Sequence, residues 1–312
     1  MEIKENVSLK SFTYFKIGGN ARYFCVVKTI KDLSEALDFS RKNNLAIFVL
    51  GNGSKILVSD KGFNGLVIKN EMKFIEAIEK GNNWLLEVGS GVMLAELIDF
   101  CLKNSLSGIE KLFGIPATIG GMIYKNAGAH GYSIGDITEK VRILNLKKNK
   151  MEEVVKDEKT FSYRTSIFQN QPKPIIISAF LRFKKEENSR IKETISEVTK
   201  KRMESQPLNY PSVGSIFKNI PAKNFSKEIL EKEKFPVINC MVSAGFLIEK
   251  MGLKGVKQGD AQISEKHAGF IINLGNAKAK DIKFLIDLIK EKAKEKFQIE
   301  MREEVEYLGD FS

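Results

Sequence analysis

The sequence has few of the residues that build metal sites and disulfide frameworks. Its 312 residues include three cysteines and two histidines, and Cys25, Cys101 and Cys240 are far apart. The cysteines form no CxxC pair and no zinc-ligand spacing, so we expect no metal site. An odd number of scattered cysteines is typical of reduced, mostly buried thiols.

Long hydrophobic runs are also lacking. No apolar stretch approaches the roughly 20 residues that a helix needs to span a bilayer. The N-terminal residues MEIKENVSLKSF contain charges and no apolar core of a signal peptide. These absences predict a cytoplasmic chain that has no membrane partner, and nothing in the sequence indicates an obligate protein partner.

The net charge of +11 and the sequence pI of about 9.3 raise the question of nucleic-acid binding. The basic residues are mostly interleaved with glutamate, as in residues 290–292 and 294–296, which is typical of solvated helix faces. No aromatic residues alternate with basic ones, as a groove for single strands requires. We therefore expect no nucleic-acid partner, and a basic nucleic-acid-binding protein stays as an alternative of low weight.

Periodicity predicts a mixture of helices and strands. Thr29 is a candidate N-cap for an amphipathic helix. The predicted helices are residues 29–43, 93–104, 189–204, 244–251 and 280–297, and the predicted strands are residues 45–50, 65–68, 84–88, 141–146, 150–155, 175–183 and 270–274. The Gln206-Pro207 step is the best candidate for a domain boundary.

Two glycine-rich segments carry the first functional signal. Gly51, Asn52, Gly53, Ser54 and Lys55 follow the strand at 45–50, and a second segment runs from 114 to 121. Glycine-rich backbone after a strand exposes N–H groups that can hold a pyrophosphate. The P-loop and the third glycine of the Rossmann fingerprint are absent, so the two segments would share a dinucleotide in a different way. Residues 108–135 show little regular periodicity, and we interpret them as backbone wrapped around a ligand.

Six blocks of sequence, in order, resemble one enzyme family. They are GNGSKILVSDKGFNG (51–65), GIPATIGGMIYKNAGAHG (114–131), FSYRTSIF (161–168), QPLNYPSVGSIFKN (206–219), AGFLIEKMGLKGVKQGDAQISEKHAGFIIN (244–273) and EEVEYLG (303–309). In these blocks the chain resembles the UDP-N-acetylenolpyruvoylglucosamine reductase family, in its shorter branch. Members of this family are flavoenzymes of peptidoglycan precursor synthesis.

The resemblance implies an α+β fold. An FAD-binding domain of the vanillyl-alcohol-oxidase (PCMH) type would form two subdomains, residues 1–70 and 71–204, and residues 205–312 would form an α+β substrate-binding domain. The implied cofactors are FAD and NADPH. The implied reaction reduces UDP-N-acetylglucosamine enolpyruvate, a UDP-sugar enolpyruvate substrate, to UDP-N-acetylmuramate.

Three residues match the catalytic positions of the family. Ser215 matches the proton donor to C2 after hydride reaches C3. Arg164 would stabilise charge that grows on the substrate carboxylate. Glu304 would orient or protonate the same enolate, and the Glu-Val step that follows favours Glu304 over the adjacent Glu303.

The resemblance also implies binding residues. Those for FAD are Gly51, Asn52, Gly53, Ser54, Lys55, Ile115, Pro116, Thr118, Gly120, Gly121, Asn126, Ala127 and Gly128. Those for the substrate are Arg202, Lys218, Asn219 and His267. The chain departs from the family pattern at Lys55, where Asn is common, and at Lys125 and Asp260.

Another flavoenzyme of the same cofactor fold, such as an oxidase or dehydrogenase, is the main alternative. Many such oxidases bind flavin covalently through a histidine or cysteine near the pyrophosphate loops. His130 lies in a suitable loop. Sequence spacing alone does not separate this alternative from the reductase.

Overall fold

The chain forms two compact units in a computed structural model that describes residues 1–79, 83–129 and 131–312. The first unit contains residues 1–5, 23–52 and 65–202, and the second contains residues 6–22, 53–64 and 203–312. Segments 6–22 and 53–64 thus group with the C-terminal residues, although the predicted subdomain 1–70 includes them. The division into two cofactor subdomains and one substrate domain stays a prediction.

Eight α-helices occur in the described residues. They are α1 (Ile30–Lys42), α2 (Leu94–Lys103), α3 (Ile119–Lys125), α4 (Ile134–Ile137), α5 (Asn188–Ser205), α6 (Lys227–Glu233), α7 (Ala244–Lys250) and α8 (Ala279–Phe297). The five predicted helices are confirmed as α1, α2, α5, α7 and α8. In α1, the Thr29 hydroxyl accepts a hydrogen bond from the Asp32 N–H, which confirms the predicted N-cap.

The strands in the first half of the chain are β1 (Ile3–Ser8), β2 (Asn20–Val27), β3 (Ile47–Leu50), β4 (Ile56–Val58), β5 (Phe63–Asn70), β6 (Ile75–Glu79), β7 (Asn83–Gly89), β8 (Leu106–Ser107), β9 (Gly128–Ala129), β10 (Tyr132–Ser133), β11 (Thr138–Asn145) and β12 (Lys150–Val155). Those that follow are β13 (Phe161–Ser162), β14 (Thr165–Ser166), β15 (Ile175–Lys185), β16 (Ile220–Pro221), β17 (Val237–Ile238), β18 (Met241–Val242), β19 (Lys257–Gln258), β20 (Ala261–Ile263), β21 (Ile271–Asn273) and β22 (Glu306–Leu308). The seven predicted strands are confirmed as β3, β5, β7, β11, β12, β15 and β21.

Strand β15 organises the core of the first unit. It lies in a sheet of order β12-β11-β15-β7-β6, with β8 also paired to it. Ala179 and Leu181 pack in a cluster with α2 and α3, whereas Ile175 and Ile177 pack in a cluster with α1. Alternate residues of a strand face opposite sides, and the register shift against β11 between the Ile176–Ile143 and Ser178–Arg142 pairs changes which residues face each side. Another sheet has the order β1-β2-β5-β3, in which β3 and β5 are parallel.

The second unit packs small sheets against the apolar face of α8. Ile282, Leu285, Ile286 and Ile289 of that helix are fully buried. The sheets have the orders β16-β18-β17 and β19-β20-β21, and β22 pairs in parallel with β4. The β4–β22 pair aligns the segment after Lys55 with the segment after Glu304.

Helix α3 is the main departure from the sequence prediction, which left residues 108–135 irregular. Thr118 caps this helix through its hydroxyl, which accepts a hydrogen bond from the Gly121 N–H. Ile119, Met122 and Ile123 form its buried face. Two glycines in the first turn lower the helix propensity and concealed this short periodic pattern.

The prediction of mostly buried thiols holds for two of the three cysteines. Cys25 and Cys101 are buried, as expected, and burial raises the pKa of the Cys25 thiol to about 11. Cys240, however, is exposed. None of the helices in the described ranges is long and apolar enough to cross a bilayer.

Candidate cofactor site and catalytic residues

The structure brings the two glycine-rich segments of the first unit together. The Asn52 side-chain amide donates a hydrogen bond of 3.0 Å to the carbonyl oxygen of Pro116. A Cβ atom added at Gly51 would lie 2.6 Å from the hydroxyl oxygen of Thr118. Only glycine therefore lets the turn after β3 approach the second segment this closely.

Lys69 also belongs to this region, although no sequence motif predicts it. It lies on β5, and its amine donates a 2.5 Å hydrogen bond to the Gly51 carbonyl oxygen. Burial lowers the pKa of the Lys69 amine. The contact follows from the parallel pairing of β3 with β5, which no local motif reveals.

Gly120 and Gly121 serve different purposes in the first turn of α3. A Cβ at Gly120 would lie 2.8 Å from the Ser90 Cβ, and the Gly120 N–H donates to the Ser90 carbonyl, so this glycine is required by packing. Gly121 is exposed, and a Cβ there would meet only the Thr118 hydroxyl oxygen, at 3.5 Å. Its open backbone fits the close approach of a cofactor phosphate.

Gly121→Leu is expected to weaken FAD binding without destabilising α3. Leucine favours the helix by up to about 1 kcal/mol over glycine, but its side chain would fill the open space. If the leucine side chain costs about 1.4 kcal/mol or more of binding free energy, the affinity for FAD falls at least ten-fold. Fluorescence titration of the apoprotein with FAD measures the affinity, and thermal unfolding checks the fold. Glu193→Leu, at an exposed site of α5, is the control, and unchanged affinity in Gly121→Leu would exclude Gly121 from the cofactor site.

The residues after α3 support the hairpin that carries Arg164. Buried Asn126 has left-handed backbone with φ of 43°, and its amide donates to the Ser162 carbonyl at 2.8 Å. Its side-chain oxygen accepts from the Gly135 N–H at 3.1 Å. The side chain of Asn126 thus has a role within the protein, and FAD contact by Asn126, Ala127 and Gly128 stays a prediction.

Arg164 occupies a strained position at the tip of the β13–β14 hairpin. Ser162 pairs with Thr165, so Tyr163 and Arg164 form the turn. The φ of Arg164 is +54°, a region that costs a non-glycine residue about 1 kcal/mol or more. Its guanidinium lies 5.5 Å from the centre of the Tyr163 ring. A strained arginine at a predicted catalytic position is consistent with a functional constraint.

In the second unit, Ser215 lies in a loop that is fixed from both sides. The Ile216 N–H donates to the Gly269 carbonyl at 2.9 Å, and Ser215 forms a β-bridge with Phe270. The Glu304 N–H donates to the Ile216 carbonyl at 2.7 Å. Backbone hydrogen bonds therefore place the two predicted catalytic residues on adjacent segments.

Lys55 joins these two residues through its side chain. Its amine donates a 2.5 Å hydrogen bond to the Ser215 carbonyl oxygen and lies 3.0 Å from a carboxylate oxygen of Glu304. The Glu304 side chain is 10% exposed. The family resemblance implies FAD binding by Lys55, which stays a prediction, and the lysine in place of the common Asn is the one sequence signal at this position.

The remaining residues of the first glycine loop lie in the second unit. Gly53 has φ of 66°, and a Cβ there would lie 2.0 Å from the Phe12 carbonyl oxygen. The Gly53 carbonyl accepts a hydrogen bond from the Tyr14 N–H at 3.1 Å. Ser54 is half-buried. The backbone of Gly53 is therefore required by the local fold, and cofactor contact by Gly53 and Ser54 stays a prediction.

The predicted substrate-binding residues have varied surroundings. In the first unit, the Arg202 guanidinium donates to the Gly114 carbonyl at 2.9 Å, and burial lowers its pKa. In the second unit, the Asn219 side-chain oxygen accepts from the Ala244 N–H, and the Lys218 N–H donates to the Arg302 carbonyl. Arg202 thus holds the second glycine segment next to Ile115.

His267 has a structural environment. Its ring packs edge-on against Phe270 at 4.8 Å between centres, and its Nδ1 accepts a hydrogen bond from the Gly269 N–H. Burial lowers the pKa of the imidazole. These contacts stabilise the segment that supports Ser215, and contact of His267 with the substrate stays a prediction.

Two protein-family models match the chain. The model described as FAD binding domain matches residues 21–153, and the model described as UDP-N-acetylenolpyruvoylglucosamine reductase, C-terminal domain, matches residues 206–308. Both glycine-rich segments lie in the first match, and Ser215 and Glu304 lie in the second. The predicted α+β fold, with an FAD-binding domain before a C-terminal domain, is confirmed.

Homologous proteins match the chain along its whole length. A UDP-N-acetylenolpyruvoylglucosamine reductase from Caldicellulosiruptor bescii is 39% identical over 100% of this chain and 92% of the relative. That from Clostridium novyi is 36% identical over 100% and 94%. A crystal structure of UDP-N-acetylenolpyruvylglucosamine reductase from Thermus caldophilus matches with a TM-score of 0.77 and 31% identity, and the match covers 99% of this chain and 98% of that chain.

Proposed function

Because the chain belongs to the UDP-N-acetylenolpyruvoylglucosamine reductase family, we propose that it uses NADPH to reduce the enolpyruvyl group of UDP-N-acetylglucosamine enolpyruvate to UDP-N-acetylmuramate. The family makes the chain an FAD-dependent oxidoreductase of peptidoglycan synthesis. The observation that best supports the chemistry is the Lys55 amine, which bridges Ser215 and Glu304.

The proposed FAD site uses the two glycine-rich segments. The chemistry supplied by bound FAD is hydride transfer, from NADPH to C3 of the enolpyruvyl double bond. The residues proposed to hold the pyrophosphate are Gly51, Asn52, Thr118 and Gly121. Close packing of the first three and the open backbone at Gly121 support this assignment.

Ser215 is the proposed proton donor. Addition of hydride at C3 leaves an electron pair at C2, which is delocalised into the substrate carboxylate as an enolate. The Ser215 hydroxyl gives its proton to C2, the new C–H bond completes the reduction, and the alkoxide regains a proton from solvent. The fixed backbone of the Ser215 loop supports this role because a proton donor must be held in place.

Arg164 and Glu304 are the proposed stabilisers of the enolate. A guanidinium presents parallel N–H donors that match a carboxylate, so Arg164 would bind the substrate carboxylate as charge grows on it. Glu304 would orient the reacting group from the segment beside Ser215. Lys218, Asn219, Arg202 and His267 stay proposed contacts of the UDP-sugar.

An anaerobic experiment in two steps tests the function. NADPH is expected to bleach the flavin absorbance of the purified protein, and UDP-N-acetylglucosamine enolpyruvate is then expected to restore it. The proposal would be contradicted if NADPH bleached the flavin absorbance and the enolpyruvyl substrate then failed to restore it.

Acid denaturation distinguishes the reductase from the main alternative, an oxidase that binds flavin covalently. The reductase is expected to release its flavin into the supernatant, whereas an oxidase of that kind retains it in the precipitate. His130, the basis of this alternative, lies outside the described residues. A cytoplasmic location and the lack of an obligate partner stay predictions from the sequence.

A further inference from the structure

The Lys55 amine lies between two groups of the proposed catalytic machinery. It contacts the main-chain oxygen of Ser215 at 2.5 Å and the Glu304 carboxylate at 3.0 Å. A Cβ at Gly214, whose φ is +76°, would lie 3.6 Å from the amine nitrogen. The ammonium group therefore lies against the turn that presents the Ser215 hydroxyl.

The backbone of Lys55 is fixed to the same C-terminal segment as Glu304. The Glu306 N–H donates a 2.9 Å hydrogen bond to the Lys55 carbonyl oxygen, and Glu306 pairs with Ile56 at the start of the β4–β22 ladder. Main-chain contacts thus fix the base of the lysine, and ionic contacts fix its end. Because the side chain is already held at both ends, it loses little conformational entropy when it orients its partners.

The pairing also favours the ionised form of Glu304. An ammonium at hydrogen-bond distance stabilises the ionised form of a carboxylate. Both partners are largely buried, with 29% exposure for Lys55 and 10% for Glu304. Removal of one partner of a buried ion pair leaves the other charge without compensation, so the two groups depend on each other.

We propose that Lys55 is a positioning residue of the reduction: its ammonium keeps Glu304 as an oriented carboxylate and holds the Ser215 turn at a fixed distance from it. This inference rests on the proposed function. An ionised Glu304 has no proton to give, which leaves the Ser215 hydroxyl as the proton donor to C2. Lys55 thereby acts through its two partners and not on the substrate.

Lys55→Met is the first test. Misplacement of a catalytic group by about 1 Å can reduce the rate about 100-fold, so we expect kcat to fall about 10- to 100-fold. The KM for the enolpyruvyl substrate and the rate of flavin reduction by NADPH should stay near their wild-type values. Lys55→Arg, which keeps a cationic donor, should recover most of kcat. A rise in KM alone would identify Lys55 as a direct substrate ligand and overturn the proposal.

Lys290→Met is the matched control. Lys290 pairs with Glu303, the residue before Glu304, at 3.0 Å. Its replacement removes a lysine–glutamate pair of the same segment, and we expect kcat to be unchanged. Flavin content and thermal unfolding are measured for every variant. Lys55→Gln, which keeps a neutral donor, is the second test if Lys55→Met does not fold, and wild-type kcat in Lys55→Gln would also overturn the proposal.

A double-mutant cycle with Glu304→Gln identifies the partner. If Lys55 acts through Glu304, Lys55→Met should reduce kcat less in the Glu304→Gln background than in the wild type. Equal reductions in both backgrounds would contradict that coupling. A wild-type protein whose flavin the substrate does not reoxidise would contradict the proposed function itself, whereas a fully active Lys55→Met would contradict only the role of Lys55.

Discussion

Ser215→Ala is expected to lower turnover about 100- to 10,000-fold, which is the usual contribution of a positioned acid or base. The loss should fall on the second half-reaction, reoxidation of the flavin by the enolpyruvyl substrate. Reduction by NADPH should be unchanged. Anaerobic stopped-flow absorbance separates the two rates.

The structure makes this substitution selective. The main-chain oxygen of Ser215 accepts the Lys55 hydrogen bond, and the main chain bridges to Phe270, so alanine keeps both contacts. Ser226→Ala removes another serine hydroxyl, at the N-cap of α6, and should leave both half-reactions unchanged. Loss of FAD binding in Ser215→Ala would assign the hydroxyl a structural role and contradict the proposed one.

Arg164→Gly is expected to separate activity from stability. Loss of a donor to the developing charge should lower kcat/KM about 100- to 1000-fold. Glycine adopts the left-handed backbone of this turn without strain, so the free energy of unfolding should be unchanged or rise by up to about 1 kcal/mol. Steady-state kinetics and denaturant unfolding measure the two effects.

Arg164→Asn and Arg164→Lys are the controls for this prediction. Asparagine also tolerates the left-handed region, so it should reproduce the loss of activity without the added flexibility of glycine. Lysine keeps the charge and loses the parallel donors, so its activity should fall between those of the wild type and Arg164→Gly. Wild-type kcat/KM in Arg164→Gly would exclude the side chain from the reaction.

Local patterns predicted the elements that depend on neighbours in sequence. The Thr29 cap and the amphipathic pattern after it predicted α1, and the apolar run at residues 175–183 predicted β15. Helix α3 was missed because Gly120 and Gly121 lower its propensity, although packing against Ser90 and the Thr118 cap stabilise it. Tertiary contacts there overrode the local preference.

The site could be predicted only in part for the same reason. Matching blocks pointed to Ser215 and Glu304 one by one, but their spatial relation depends on hydrogen bonds between distant segments. The Lys55–Glu304 ion pair and the Lys69–Gly51 contact connect residues that no local motif joins. Both follow from strand pairing, which periodicity alone does not specify.

The parallel β4–β22 pair has a consequence for synthesis on the ribosome. All residues of the first unit have been synthesised once residue 202 is reached. Strand β4, in contrast, can pair with β22 only after about 250 further residues have been added, since β22 contains residues 306–308. At typical translation speeds this delay is on the order of ten seconds or more. During that time the edge of β4 has no β22 partner, and an open edge is prone to pair with other chains. Formation of the Lys55–Glu304 pair is therefore a late event in biogenesis, and early termination of translation removes it completely.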